Sequence, residues 1–153
     1  MERHEILVAV KADPANSLAP FTTDGCSGGL SFGWQYASHR YPEFADLHGE
    51  TPPWESCCVT HDRAYHAGGP RDATAEQSFS ARRAADEILR QCVRETGQER
   101  AAIVAEEYDV PVSKVQILYF TVADLMYRAV RVGGIPCTGL PWRWGYGWAE
   151  CPE

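Results

Sequence analysis

A chain of 153 residues suffices for one domain, and its 44% apolar and 23% charged residues are ordinary for a globular protein, which excludes wholesale disorder. A formal net charge of −7 argues against the basic surface that phosphate contacts need, although Arg82, Arg83, Arg90 and Arg94 cluster in one segment, so nucleic acid is not an expected partner. The same charge argues against strong electrostatic attraction to an anionic membrane, and no apolar run approaches the roughly 20 residues of a membrane span.

Met1–Ala12 holds an apolar run too short and too closely flanked by charge for the core of a secretory signal. Within it, Glu5–Lys11 is rich in Ile, Leu and Val and predicts a short strand or arm, broken by Asp13-Pro14 and Ala19-Pro20. Phe21–Gly33, with four glycines and several small polar residues, reads as a loop. Trp34–Glu50 is mixed, punctuated by Tyr41-Pro42 and Gly49, and predicts irregular structure. A helix is expected from Thr51-Pro52-Pro53 to Ala67, stopped by Gly68-Gly69-Pro70.

A second helix starts near Asp72 or Thr74, where Thr74 and Gln77 have capping-box spacing. Its apolar stripe is Ala81, Ala85, Ile88, Leu89, Cys92 and Val93, and Gly97 is expected to end it. Ala101–Glu107 predicts a short helical piece before Val110-Pro111. A third helix is expected from about Ser113 to Val132, with Val115, Leu118, Tyr119, Val122, Met126 and Ala129 inward. Asp124 and Arg128 sit at i, i+4 on its other side, and Gly133-Gly134 end it. The tail from Cys137 to Cys151 encloses Trp142, Trp144, Tyr146 and Trp148. Those aromatics suit either a membrane interface or a closed loop capping the core. The chain is expected to be a single domain over 1–153: an N-terminal arm (1–20), a loop with two core helices (21–96), and a third helix with an aromatic tail (113–153). The fold class is mainly α, built from antiparallel helices.

Six cysteines without a CxxC pair favour disulfides and an oxidising or secreted location over a zinc site. Their pairing is left open by composition. The block Cys57-Cys58-Val59-Thr60-His61-Asp62-Arg63-Ala64-Tyr65 concentrates the chemistry. On a helix, Cys57, His61 and Tyr65 share a face, and Asp62 lies about 100° around from His61. A base and a carboxylate so placed can address one cavity. Adjacent cysteines point different ways, so each needs its own partner. Asp86 borders the apolar stripe of the second helix. It suits either a surface ion pair with Arg82 or Arg90, or a carboxylate that orients an imidazole.

These residues resemble the secreted phospholipase A2 superfamily. The resemblance rests on Asp24-Gly25-Cys26-Ser27-Gly28-Gly29, on Cys57 to Tyr65, and on Ala85-Asp86 to Cys92, and it covers about half the chain. In that family two cysteines stand four and three residues before the catalytic histidine, as Cys57 and Cys58 precede His61. An aspartate follows the histidine (Asp62), a tyrosine lies four after it (Tyr65), and a second aspartate lies six before a cysteine, as Asp86 precedes Cys92. One family disulfide is absent at both ends, where Ala64 and Ala85 stand. Ser27 replaces the usual glycine after the loop cysteine, and the stretch from Cys26 to His61 is longer than usual.

The resemblance implies the pairs Cys26–Cys58 and Cys57–Cys92, leaving Cys137–Cys151, and a glycine-rich calcium loop. It implies His61 as general base, Asp86 as its orienting carboxylate, and calcium held by Asp62 with the carbonyls of Gly25, Ser27 and Gly29. The implied reaction is calcium-dependent hydrolysis of the sn-2 ester of glycerophospholipids, with a phospholipid membrane surface as substrate. Nothing in the sequence names a protein partner. Two other readings stand beside it: a non-catalytic binding or toxin-like module on the same scaffold, and a metal phosphohydrolase using the His61-Asp62 doublet, which would need further His and Asp ligands on other helices, whereas His39 and His48 sit in loop-like sequence.

Overall fold

A computed structural model describes residues 1–26 and 30–152. The described residues form six helices and no strands: α1 (Glu2–Ala12), α2 (Leu30–Arg40), α3 (Pro42–His48), α4 (Glu55–Ala67), α5 (Ala75–Glu107) and α6 (Val112–Gly133).

Helix α1 replaces the strand expected over Glu5–Lys11. Its buried residues His4, Leu7, Val10 and Lys11 recur at helical spacing, and burial of that stripe overrides the β-branched content. Leu7 packs with Tyr65, Ala85 and Trp144 in one of two apolar clusters. Lys11 is 0% exposed, and its ammonium donates to the carbonyls of Gly68 (2.8 Å), Gly69 (3.0 Å) and Pro70 (2.7 Å). A cation thus closes the carbonyl end of α4, where helix ends attract positive charge.

Helices α2 and α3 occupy the segment expected to be irregular, and α2 begins at Leu30, inside the stretch expected to be a loop. Trp34 sets its ring against Phe44 at 5.1 Å and Trp54 at 5.8 Å, a tertiary aromatic cluster that periodicity does not reveal. Pro42 opens α3 at its first turn instead of merely breaking the chain. Helix α4 begins at Glu55 rather than at the prolines, because a residue preceding proline, as Pro52 does, is driven out of the helical region.

The Thr74–Gln77 capping box starts α5 as expected, with both reciprocal hydrogen bonds present. Helix α5 does not stop at Gly97 but continues through the predicted separate piece to Glu107. Gly97 answers to packing: a Cβ there would run into the Cβ and ring of Tyr119 on α6. The missing side chain lets α5 and α6 approach, and tertiary contact outweighs a glycine's cost of about 1 kcal/mol within a helix. Helices α4 and α6 both run antiparallel to α5, as the pairs Cys57–Cys92 and His61–Asp86, and Arg94–Asp124 and Asp86–Arg131, show.

Most of the two expected stripes faces inward, but Ile88 on α5 is 60% exposed, Leu118 on α6 is 59% exposed, and Ala129 is exposed as well. Asp124 accepts hydrogen bonds from Arg90 and Arg94 of α5, each at 2.7 Å. The three disulfides are Cys26–Cys58, Cys57–Cys92 and Cys137–Cys151. They fit an oxidising environment. Among the described residues no helix is long and apolar enough to cross a membrane. In the tail, Trp144 and Trp148 are buried and cap the core, whereas Trp142 remains half exposed.

Candidate active site

His61 and Asp86 meet in the interior between α4 and α5. His61 Nε2 lies 2.9 Å from Asp86 Oδ1, and Asp86 is fully buried. The meeting follows from helix register. Disulfide Cys57–Cys92 pins the two antiparallel helices one turn away, so four residues on along α4 reaches six residues back along α5. The alternative of a surface ion pair for Asp86 is excluded by that burial. Arg90 pairs with Asp124 instead, and Arg82 reaches past Asp86 to Tyr65 Oη and the carbonyls of Val130 and Arg131.

Asp86 has two further donors. Tyr65 Oη donates to Oδ1 at 2.7 Å, and Arg131 Nη1 donates to Oδ2 at 2.8 Å. Burial alone would raise the Asp86 pKa, but hydrogen bonds from His61, Arg131 and Tyr65 hold it below the usual carboxylate value. For His61, burial works against the cation, yet the carboxylates of Asp62 and Asp86 outweigh it and raise the imidazole above its ordinary value. Burial, and next the Asp86 charge, raise the Tyr65 phenol, so it stays a neutral donor. With Nε2 donating to Asp86, the lone pair of a neutral His61 resides on Nδ1. That atom lies 4.0 Å from Asp62 Oδ1.

Two hollows open beside this pair. His61, Asp62, Tyr65, Val130 and Trp142 are among the residues lining one of about 280 Å³. Gly25, Cys26, His61, Asp62 and Met126 help line a second of about 120 Å³. Asp62 also borders a third, with Thr22, Thr23, Asp24 and Tyr146. Burial, then the charges of Asp62 and Asp24, push the Tyr146 phenol up to about 12.

Of the expected metal ligands, Asp62 and Gly25 share a cavity with His61, while Ser27 and Gly29 lie outside the described residues. Asp62 Oδ2 accepts from Thr23 Oγ1 at 2.5 Å, and Gly25 N–H donates to the same hydroxyl at 3.1 Å. A side chain at Gly25, with φ +75°, would place its Cβ 2.6 Å from Glu55 Oε1 and 2.9 Å from Ser31 Oγ. Ser31 in turn donates to Glu55 and accepts from Cys26 N–H, so Glu55 and Ser31 brace the loop against α4. Among the described residues no group of three or more His, Cys, Asp or Glu side chains is placed to hold a metal. His39 and His48 lie on α2 and α3, and His48 packs against Phe44 and Tyr108.

Arg131, Thr23, Ser31 and Glu55 belong to the site without a motif in the sequence to mark them. Arg131 has no local signal, since its partner lies 45 residues away. The serine–glutamate brace likewise spans two elements. Set against protein-family models, curated proteins and solved structures, the chain matches none of them.

Proposed function

We propose that this chain is a phospholipase A2-like ester hydrolase that cleaves the sn-2 ester of glycerophospholipids in a calcium-dependent reaction. The carrying observation is the buried Asp86–His61 pair, whose remaining nitrogen lies on the Asp62 side beside two cavities.

The donors around Asp62 suit a hard cation, because Asp24, Thr22, Thr23 and Asp62 bring oxygen and no sulfur or imidazole to that hollow. Asp62 and loop carbonyls, Gly25 among them, would hold calcium, with Thr23 giving up its bond to Asp62. Bound calcium would polarise the ester carbonyl and balance the charge that develops on its oxygen. His61 Nδ1 takes a proton from water as the water oxygen attacks the ester carbon. The protonated imidazole then returns that proton to the departing alkoxide. Asp86 offsets the passing cation and keeps the ring in one tautomer, while Tyr65 and Arg131 keep Asp86 from turning.

Titrating calcium into the chain with phosphatidylcholine vesicles tests this. Fatty acid release that rises with calcium and disappears in His61→Gln is the expected result, and release unchanged in His61→Gln would sink the assignment. The 2.5 Å Thr23–Asp62 bond favours a second reading, a non-catalytic binding module in which that hydroxyl occupies the carboxylate permanently. That module would show no turnover at millimolar calcium and no calcium uptake in calorimetry.

A further inference from the structure

A helix leaves its last four carbonyls without donors of its own. At the end of α4, Ala64 O takes the N–H of Gly68, and the aromatic tail answers for the rest. Gly145 N–H donates to Tyr65 O at 2.6 Å, Gly147 N–H to His66 O at 3.1 Å, and the Trp148 indole to Ala67 O at 2.9 Å. Glycine makes that approach possible. A Cβ on Gly145 would stand 2.7 Å from Leu7 Cδ1, and one on Gly147 would stand 2.5 Å from His66 Nε2. Gly145 also holds φ at +80°. The tripeptide Gly145-Tyr146-Gly147 is thereby seated on the helix that carries His61, Asp62 and Tyr65.

Tyr146 reaches from this seat to the chain entering the glycine loop. Its ring meets that of His66 edge-on, with centroids 5.2 Å apart, and its hydroxyl donates to the Thr22 carbonyl at 2.6 Å. Gly147 O takes the N–H of Ala19 at 2.8 Å, and the Arg63 guanidinium of α4 lies over the Phe21 ring at 4.3 Å. The entering chain is gripped at Ala19, Phe21 and Thr22, directly before Thr23, Asp24 and Gly25. Tyr146 also lines the hollow that Thr22, Thr23, Asp24 and Asp62 share.

The loop thus has two kinds of tie, and a cation would treat them differently. Thr23 Oγ1 holds Asp62 Oδ2, the carboxylate that a cation would take. Tyr146 holds a main-chain carbonyl instead, so its bond can persist when Thr23 lets go. We infer that Tyr146 is a positioning residue for cation binding: its hydroxyl keeps residues 22–25 beside Asp62 while that carboxylate changes partner from Thr23 to calcium. This role rests on the calcium-dependent reading proposed above.

Tyr146→Phe keeps the ring against His66 and removes the hydroxyl. Calorimetric titration of calcium chloride into the disulfide-bonded wild type and this variant is the test. Calcium affinity is expected to fall about fivefold to tenfold, the worth of one hydrogen bond. The kcat for phosphatidylcholine at saturating calcium is expected to stay within about twofold of wild type. In the calcium-free chain, amide exchange followed by NMR should quicken at Gly25 and stay unchanged along α5. Trp148→Phe removes the tail's bond to Ala67 instead; it is expected to lower the melting temperature and leave calcium affinity unchanged, and if it fails to fold, amide exchange at Gly25 decides specificity. Wild-type calcium affinity in Tyr146→Phe, a fall in kcat in place of affinity, unchanged exchange at Gly25, or an equal loss of affinity in Trp148→Phe would each overturn the role of Tyr146 and leave the calcium-dependent reading standing. A wild type that takes up no calcium would remove both.

Discussion

Arg131 and His61 divide the Asp86 carboxylate between them, Arg131 on Oδ2 at 2.8 Å and His61 on Oδ1 at 2.9 Å. The C-terminal end of α6 is thereby tied to the same buried group that orients the candidate base. Arg131→Met leaves Asp86 buried with one charge partner fewer. A stability loss of about 3 kcal/mol is expected, read from urea unfolding, with partial recovery in Arg131→Lys. A loss well under 1 kcal/mol would show that the ion pair is idle.

Asp86→Asn separates orientation from bulk. The amide fills the same space but can also donate to Nε2, which turns the lone pair of His61 away from Nδ1. Hydrolysis of phosphatidylcholine is expected to fall by roughly 10²- to 10⁴-fold with the fold retained by circular dichroism. Full activity in this variant would remove Asp86 from the mechanism.

His4 gives the fold a dependence on acid. Burial first, then the nearby charges of Arg82, the N-terminus and Arg131, lower its pKa from 6.5 to about 4. Its Nδ1 meets Ser78 Oγ at 2.9 Å, and its Nε2 has no partner. Since the unfolded chain takes up this proton first, the stabilisation is complete above pH 6.5 and is lost as pH falls toward about 4. The expected loss is about 3 kcal/mol. Denaturant unfolding at pH 7 and pH 4, compared between the wild type and His4→Gln, isolates it, and parallel losses in the two proteins would contradict it.

Gly97→Ala reverses the usual rule for helices. Alanine ordinarily gains about 1 kcal/mol over glycine within a helix. Here the new methyl group meets Tyr119. A net loss of about 1–3 kcal/mol is expected from the forced separation of α5 and α6. Thermal unfolding checks the sign, and Gly97→Ala combined with Tyr119→Ala should lose less than the sum of the two single losses.

Local pattern carried α4, α5 and α6, because each has an apolar stripe or a cap within its own sequence. The same register that aligned Cys57, His61 and Tyr65 on one face brought His61 to Asp86. Helix α1 was hidden because its Ile-Leu-Val-Ala-Val run reads as β, and what makes it helical is burial of His4 and Leu7 against Ser78 and Trp144. Helices α2 and α3 were hidden for a similar reason, since Trp34 finds Phe44 and Trp54 only once the chain is folded. Arg131 is not legible in the sequence, because nothing within α6 distinguishes it from Arg128. The reach of Arg131 to Asp86 depends on how α6 crosses α5.

Lys11 and Lys114 are the two lysines of the chain, one with no exposed surface and the other in the open. An amine-reactive reagent will therefore mark Lys114 at once and Lys11 only when α1 lifts from the end of the helix that carries His61. The ratio of the two labelling rates is a clock for that opening, running inside the unmodified protein, with its own internal standard.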